Sequence, residues 1–112
     1  MIKVCYIPLG VETYTPITID NIDSHCSYTG DIEPHDERLL NLQAIIKKAV
    51  PGLFNSNSVR VKITIMSSDS IYIDNYGGLQ IGNSQSHLDP ESLTIVRKIL
   101  DNITSKGRRR VG

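Results

Sequence analysis

Strict alternation of apolar and polar residues is the feature of this sequence that most restricts its fold. In the run VRVKITIM, residues 59–66, every odd-numbered position is Val or Ile. Successive side chains of a β-strand point to opposite faces, so this pattern predicts a strand with one apolar face. That apolar face has to be covered by a second layer, which helices on one side of an antiparallel sheet can supply.

The segment SIYIDNYGGLQI, residues 70–81, allows two interpretations: a phosphate-binding loop or a β-hairpin. A phosphate loop is usually followed by a helix N-terminus, whereas Leu79-Gln80-Ile81 predicts a strand. The Lys-Ser or Lys-Thr pair of a phosphate loop and the three spaced glycines of a dinucleotide site are also absent. We therefore interpret Tyr76-Gly77-Gly78 as a hairpin bend in which both glycines and Asp74-Asn75 supply positive φ values.

Two segments show helical periodicity. The first is predicted over residues 35–50, and its apolar stripe consists of Leu39, Leu42, Ile45, Ile46 and Ala49. The second begins with Asp89 as N-cap and Pro90 at the first helical position, and we expect Gly107 to end it. Leu88 and Leu93 stand at the two positions of a hydrophobic staple.

The N-terminal third gives weaker signals. Residues 2–7 predict a strand, and residues 13–19 predict a second one that Pro16 confines to an edge or a bulge. Residues 20–33 show no sustained period and predict a loop. The predicted order is ββαβββα, an α+β fold with an antiparallel sheet of about five strands and both helices on one face. Residues 1–107 form one domain, and we expect the basic tail 108–112 to be disordered.

Composition limits the classes of protein to consider. No apolar run approaches the roughly 18 residues of a membrane span, and residues 1–10 do not have the pattern of a signal peptide. The chain has two cysteines, Cys5 and Cys26, too few for a disulfide scaffold. The simplest expectation is therefore a reduced, cytoplasmic protein.

Charge is distributed unevenly although the net charge is zero. Between Val4 and Glu37 there are seven carboxylates and no Lys or Arg. From Arg38 onward there are eleven basic residues and five acidic ones. An asymmetry of this kind gives information about the partners of a protein and their electrostatic steering towards it, but not about its fold.

Catalytic and metal-binding patterns are weak. The spacing of His25, Cys26 and His35 fits neither zinc nor calcium motifs, so we expect no metal and no cofactor. His25 and His35 leave open a small hydrolase or nuclease, because imidazole titrates near neutral pH. The tail residues Arg108–Arg110 leave open a nucleic-acid-binding accessory protein, although the chain has no recognition helix and nucleic acid is not the expected partner.

The acidic segment is the best candidate for function. Tyrosines, which are common anchors of protein interfaces, are interleaved with its carboxylates. Charge complementarity would attract a basic protein and make the association sensitive to salt. The predicted partner-binding residues are Glu12, Tyr14, Asp20, Asp23, Tyr28, Asp31 and Glu33.

The chain length, the acidic N-terminal third and the strand–hairpin–capped-helix run VRVKITIMSSDSIYIDNYGGLQIGNSQSHLDPESLTIVRKIL resemble small bacterial immunity proteins. These are cytoplasmic antidotes of interbacterial toxins, including those of the contact-dependent inhibition type. The resemblance implies a non-catalytic protein that binds one cognate toxin, such as a basic nuclease domain, and blocks it.

Overall fold

The computed structural model describes residues 2–9, 13–65 and 70–104 of the 112-residue chain. The elements are β1 (Ile2–Tyr6), a 3-10 turn (Ile22–Ser24), β2 (Tyr28–Ile32), α1 (Glu37–Lys47), β3 (Val50–Pro51), β4 (Val59–Thr64), β5 (Ile71–Asp74), β6 (Gly78–Ile81), β7 (Ser84–His87) and α2 (Pro90–Thr104). The described strands form one antiparallel sheet in the order β2-β1-β4-β5-β6-β7-β3. The predicted α+β class is therefore confirmed.

One face of the sheet and the two helices enclose the main core. The alternation predicted for β4 holds in its second half, since Val61 and Ile63 are fully buried there while Thr64 is exposed. It fails at the start of the strand, where Val59 and Arg60 are both buried. From the helices, the buried residues of this cluster are Leu39, Leu42, Ile46, Val96, Leu100 and Ile103. Both helices thus cover the same face, and this arrangement shields the apolar side of every long strand from water.

The N-terminus of α2 forms as its sequence predicts. The Asp89 carboxylate accepts a hydrogen bond of 2.7 Å from the Ser92 backbone N–H, and this bond lowers the pKa of Asp89. Leu88 is buried in the core and Leu93 packs against it, as expected for a hydrophobic staple. The predicted end of this helix at Gly107 lies outside the described residues.

A glycine of β2 lets α2 lie close to the sheet. A Cβ atom placed on Gly30 would lie 3.2 Å from Ile103 Cγ2 and 3.3 Å from the Ile103 carbonyl oxygen. These distances are tighter than ordinary van der Waals contact, so a larger residue would push the helix outward. Gly30 therefore fixes the height of α2 above this edge of the sheet.

The hairpin interpretation of residues 70–81 is correct, with a different role for its second glycine. β5 and β6 pair in antiparallel register, and Gly77 between them has a φ of 98°. Gly78 does not adopt a positive φ; instead, a Cβ there would collide with the Asp74 carboxylate. That carboxylate is buried and accepts hydrogen bonds from the backbone N–H groups of Asn55, Tyr76 and Gly78. The bend is thus a structural turn held by Asp74.

The number and order of strands differ from the prediction. The structure has seven described strands rather than about five, in the sequence order ββαβββββα. β3 has only two residues, and β7 (Ser-Gln-Ser-His) has no apolar alternation, so neither gives a strand signal. The predicted turn at residues 67–70 lies largely outside the described residues.

The segment before α1 also differs from the prediction. Residues 13–19 do not form a strand; they contribute one parallel bridge between Ile17 and Ser58. The predicted loop 20–33 contains the 3-10 turn and β2, an edge strand paired with β1. The sequence pattern does not indicate β2 because Gly30 interrupts its alternation. A glycine is needed there because α2, which comes much later in the chain, packs closely against this position.

A second, smaller apolar cluster covers part of the face opposite the helices. It is built around the segment that follows residue 16, and its buried members are Cys5, Ile7, Ile17, Ile22, Cys26, Phe54 and Val59. Within it, Cys5 and Cys26 form a disulfide with a Cα–Cα distance of 5.4 Å. The expectation that both cysteines are reduced is therefore wrong. The bond attaches residues 17–26 to β1.

Removal of the disulfide should destabilise the protein. Because the bond joins residues 21 positions apart, its loss restores loop freedom to the unfolded chain worth about 3 kcal/mol. We expect the double variant Cys5→Ala/Cys26→Ala to lose about that much free energy of unfolding in urea titrations. Wild-type protein kept under a reductant serves as the control and should unfold at a similarly lowered midpoint. An unchanged midpoint for both would contradict this role of the bond.

Candidate functional site

The structure brings two of the predicted binding carboxylates together in one depression. Asp23, from the 3-10 turn, and Asp31, from β2, line a cavity of about 390 Å³ on the face of the sheet opposite the helices. The other lining residues are Lys3, Val4, Cys5, Cys26, Thr29, Gly30 and Thr64. The disulfide thus forms part of the same cavity. We call this region the acidic depression.

The register of β1, β2 and β4 places the polar residues of the acidic depression next to one another. Lys3 on β1 lies directly opposite Asp31 on β2 and opposite Thr64 on β4. Lys62 on β4 forms an ion pair of 2.8 Å with Asp23, and this hydrogen bond raises the pKa of Lys62. The sequence shows no cation near Asp23 because its partner lies 39 residues further along the chain.

Two further predicted carboxylates are exposed on neighbouring segments. Asp20 lies in the turn that precedes Ile22, and Glu33 directly follows β2. Glu33 is two residues after Asp31, which is the spacing of side chains on one side of an extended chain. Glu12, the remaining acidic member of the predicted surface, lies outside the described residues.

The two predicted tyrosines lie elsewhere. Tyr28 is on β2 but packs against the main core, and it lines a cavity of about 250 Å³ with Tyr6, Asp101 and Thr104. Tyr14 is fully exposed and lines another cavity, of about 320 Å³, with Arg60 and Tyr76. The six described members of the predicted surface therefore do not form one continuous surface.

β2 gives the acidic depression access to a sheet edge. Within the described ranges, β2 pairs only with β1, so its outer side is an edge of the sheet. The backbone N–H and C=O groups of an edge strand can pair with a strand from another chain. Asp31 lies on this strand, beside the depression.

The residues considered for catalysis do not assemble into a site in the part of the chain that is described. His25 and His35 are exposed, and neither lines any of the three cavities. Cys26 is in the disulfide and has no thiol. No group of three or more potential metal ligands is found among the described residues. Catalysis by the histidines stays a prediction, and Arg108–Arg110 lie outside the described residues.

Sequence reasoning missed Arg60 as a residue of interest. Alternation places Arg60 on the outward face with Lys62, yet it is only 4 % exposed. The pairing of β4 with β5 shifts register between Val59 and Val61, which is the signature of a β-bulge. A bulge depends on the partner strand, so no local pattern in the sequence could have indicated it.

Comparison of the chain with protein-family models, with curated proteins and with solved structures gave no match. In the described part of the chain, neither helix combines the length and apolar character needed to cross a membrane.

The hydrogen bond between Tyr6 and Asp101, in the cavity beside Tyr28, makes the stability of the protein depend on pH in the alkaline range. The Tyr6 hydroxyl donates a hydrogen bond of 3.0 Å to Asp101 Oδ1. Burial, and then this bond, raises the pKa of Tyr6 from 10.0 to about 12. The protonated Tyr6 hydroxyl is favoured in the folded state, so its interactions stabilise the fold. This stabilisation is complete below pH 10 and is lost as the pH rises towards 12.

The substitution Tyr6→Phe tests this linkage by urea titration at several pH values. At pH 7 we expect the variant to lose about 1 kcal/mol with the hydrogen bond. Between pH 10 and 12, its free energy of unfolding should fall less steeply than that of wild type. Parallel decreases for the two proteins would contradict the assignment.

Proposed function

We propose that this protein is a non-catalytic binding module for a basic partner protein, of the inhibitor or immunity kind. Its contact surface is an acidic face, defined as Asp20, Asp23, Asp31 and Glu33. The cognate partner we propose is a toxin domain with a basic, nuclease-like surface. The acidic face would occupy the region with which such a domain contacts phosphates.

The observation that carries the proposal is the place of Asp31 on the edge strand β2 beside a depression that it shares with Asp23. A concave surface next to a strand at the edge of the described sheet provides both a pocket for a partner side chain and backbone groups for strand addition. A basic side chain entering the depression would meet these two carboxylates.

The charge balance of this face supports a basic partner. Its four carboxylates are accompanied by Lys3 and Lys62 from the neighbouring strands. The excess of negative charge is therefore two, not four. Lys62 is already paired with Asp23, so Asp31, Asp20 and Glu33 are the carboxylates that a partner would meet first. Charge complementarity of this kind mainly increases the rate of association.

A cytoplasmic location belongs to the proposal because the resemblance to immunity proteins implies it. The Cys5–Cys26 disulfide favours an oxidising compartment instead, since such bonds are rare in the cytosol of mesophiles. The two arguments disagree on the compartment, but the proposed contact surface is the same in either one.

Charge reversal at the edge strand tests the proposal. The double variant Asp31→Lys/Glu33→Lys leaves the Asp23–Lys62 ion pair and the disulfide in place. Wild type and variant would be used to capture proteins from a lysate of the source organism at low and high salt. We expect wild type to retain one stoichiometric basic protein that is released as salt rises. The variant should bind that protein at least about tenfold more weakly, through slower association.

The control is Glu91→Lys, which reverses an exposed carboxylate in the first turn of α2. It should bind the same protein as wild type does. Retention of the partner by the edge-strand variant at wild-type affinity would contradict the proposal, and Asp31 would then serve to prevent aggregation at this edge. A partner whose own activity persists in the complex would contradict the inhibitor role.

A further inference from the structure

The Cys5–Cys26 disulfide lies in the wall of the acidic depression. Both cysteines line this cavity of about 390 Å³, together with Asp23 and Asp31. Each cysteine keeps a small exposed fraction, 8 % for Cys5 and 5 % for Cys26. A cavity of this size admits a small molecule, so a thiol reductant can reach the bond from the depression.

The disulfide fixes the position of the 3-10 turn that carries Asp23. Cys26 comes two residues after this turn, and Cys5 lies in β1, which is placed between β2 and β4. The bond therefore holds the turn over the two strands that carry Asp31 and Lys62. Asp23 forms its ion pair of 2.8 Å with Lys62 from this position.

The described non-covalent attachments of the turn include one buried apolar side chain, that of Ile22, and the Asp23–Lys62 ion pair. The Asp23 side chain is 66 % exposed, and ion pairs at such positions contribute little to stability. The Ile22 N–H donates to the Thr18 carbonyl oxygen and the His25 N–H to that of Ile22, so these bonds stay within the segment. A single isolated turn is unstable in water, so a turn that leaves the sheet also loses these bonds.

Reduction of the bond concerns a different part of the fold from the main core. Both cysteines belong to the second apolar cluster, whereas the cluster between the sheet and the helices is built from other residues. β1 pairs with β2 and β4 in registers that do not depend on the bond. The part that can open lies between the bridge at Ile17 and the start of β2, that is, residues 18–27. Local openings of this kind need less free energy than global unfolding.

We propose that the Cys5–Cys26 disulfide is a redox switch of the acidic face: a dithiol reduces it, residues 18–27 open, and the protein releases its basic partner. This inference rests on the proposed function. Once the segment opens, Asp23 is no longer held beside Asp31, and the depression loses one of the two carboxylates described there. Binding therefore belongs to the oxidised form and release to the reduced form.

The reaction is thiol–disulfide exchange. A thiolate of the dithiol attacks one sulfur of the bond, the S–S bond breaks, and a mixed disulfide forms, while the other cysteine leaves as a thiolate that takes up a proton. The second thiolate of the dithiol then displaces the remaining cysteine, which is protonated in turn. The dithiol is oxidised to its own disulfide, and the protein gains two electrons and two protons.

The first test compares nuclear Overhauser spectra of the oxidised protein and of the protein reduced by dithiothreitol. The oxidised protein should show cross-peaks between Ile22 and Cys5, because the Cys5 sulfur lies 3.7 Å from the Ile22 carbonyl oxygen. We expect reduction to abolish them. Cross-peaks between Val4 and Ile63, which are paired across β1 and β4, serve as the control and should persist.

The second test measures the binding of a hexa-arginine peptide at low salt. Reduced wild type should bind it about threefold more weakly than oxidised wild type does. The variant Cys5→Ser/Cys26→Ser should match reduced wild type and should not respond to dithiothreitol. The variant Asp31→Lys/Glu33→Lys should bind weakly in both states, which establishes that the peptide contacts the acidic face.

Persistence of the Ile22–Cys5 cross-peaks after reduction would overturn the switch. Loss of the Val4–Ile63 cross-peaks would overturn it as well, because the whole domain would then unfold. Equal affinities of oxidised and reduced wild type for the peptide would show that the bond does not control the acidic face. Failure of the peptide to bind oxidised wild type would contradict the proposed function instead, and the cross-peaks would still decide whether the segment opens.

Discussion

The attachment of residues 17–26 to the second face of the sheet is the constraint on which the rest of this structure depends. The Cys5–Cys26 disulfide joins the segment to β1, and the Val59 N–H donates a hydrogen bond of 2.9 Å to the Ile17 carbonyl oxygen. The side chains of Ile17 and Ile22 in this segment are buried. Without this attachment, Asp23 would not lie beside Asp31, and the acidic depression would not exist.

The parts of the fold that the sequence predicts are those determined by local patterns. The alternation of β4 from Val61 to Thr64, the bend at Gly77 and the cap at Asp89 depend on a few adjacent residues, and all three are found. The parts that it does not predict depend on distant contacts. β2 contains a glycine because α2 lies close to it, and residues 13–19 contribute a single bridge at Ile17 instead of a strand.

The same distinction explains the candidate sites. The residues predicted to form one acidic surface lie in several separate environments in the structure. Tyr28 packs against the main core, Tyr14 lines a cavity with Arg60, and Asp23 is paired with Lys62. Of the described members of the predicted surface, Asp23 and Asp31 line the same cavity. Charge counted along a chain therefore predicts that a surface is acidic, but the strand register decides which charges act together.

The measurement that tests this account most directly is a nuclear Overhauser spectrum of the oxidised protein. The structure predicts cross-peaks between Ile17 and Val59 and between Ile22 and Cys5, residues far apart in sequence that meet on the second face of the sheet. Their presence would establish that residues 17–26 are held against the strands. Only sequential cross-peaks within residues 17–26 would show that the segment is detached, and would contradict both the depression and the binding surface built on it.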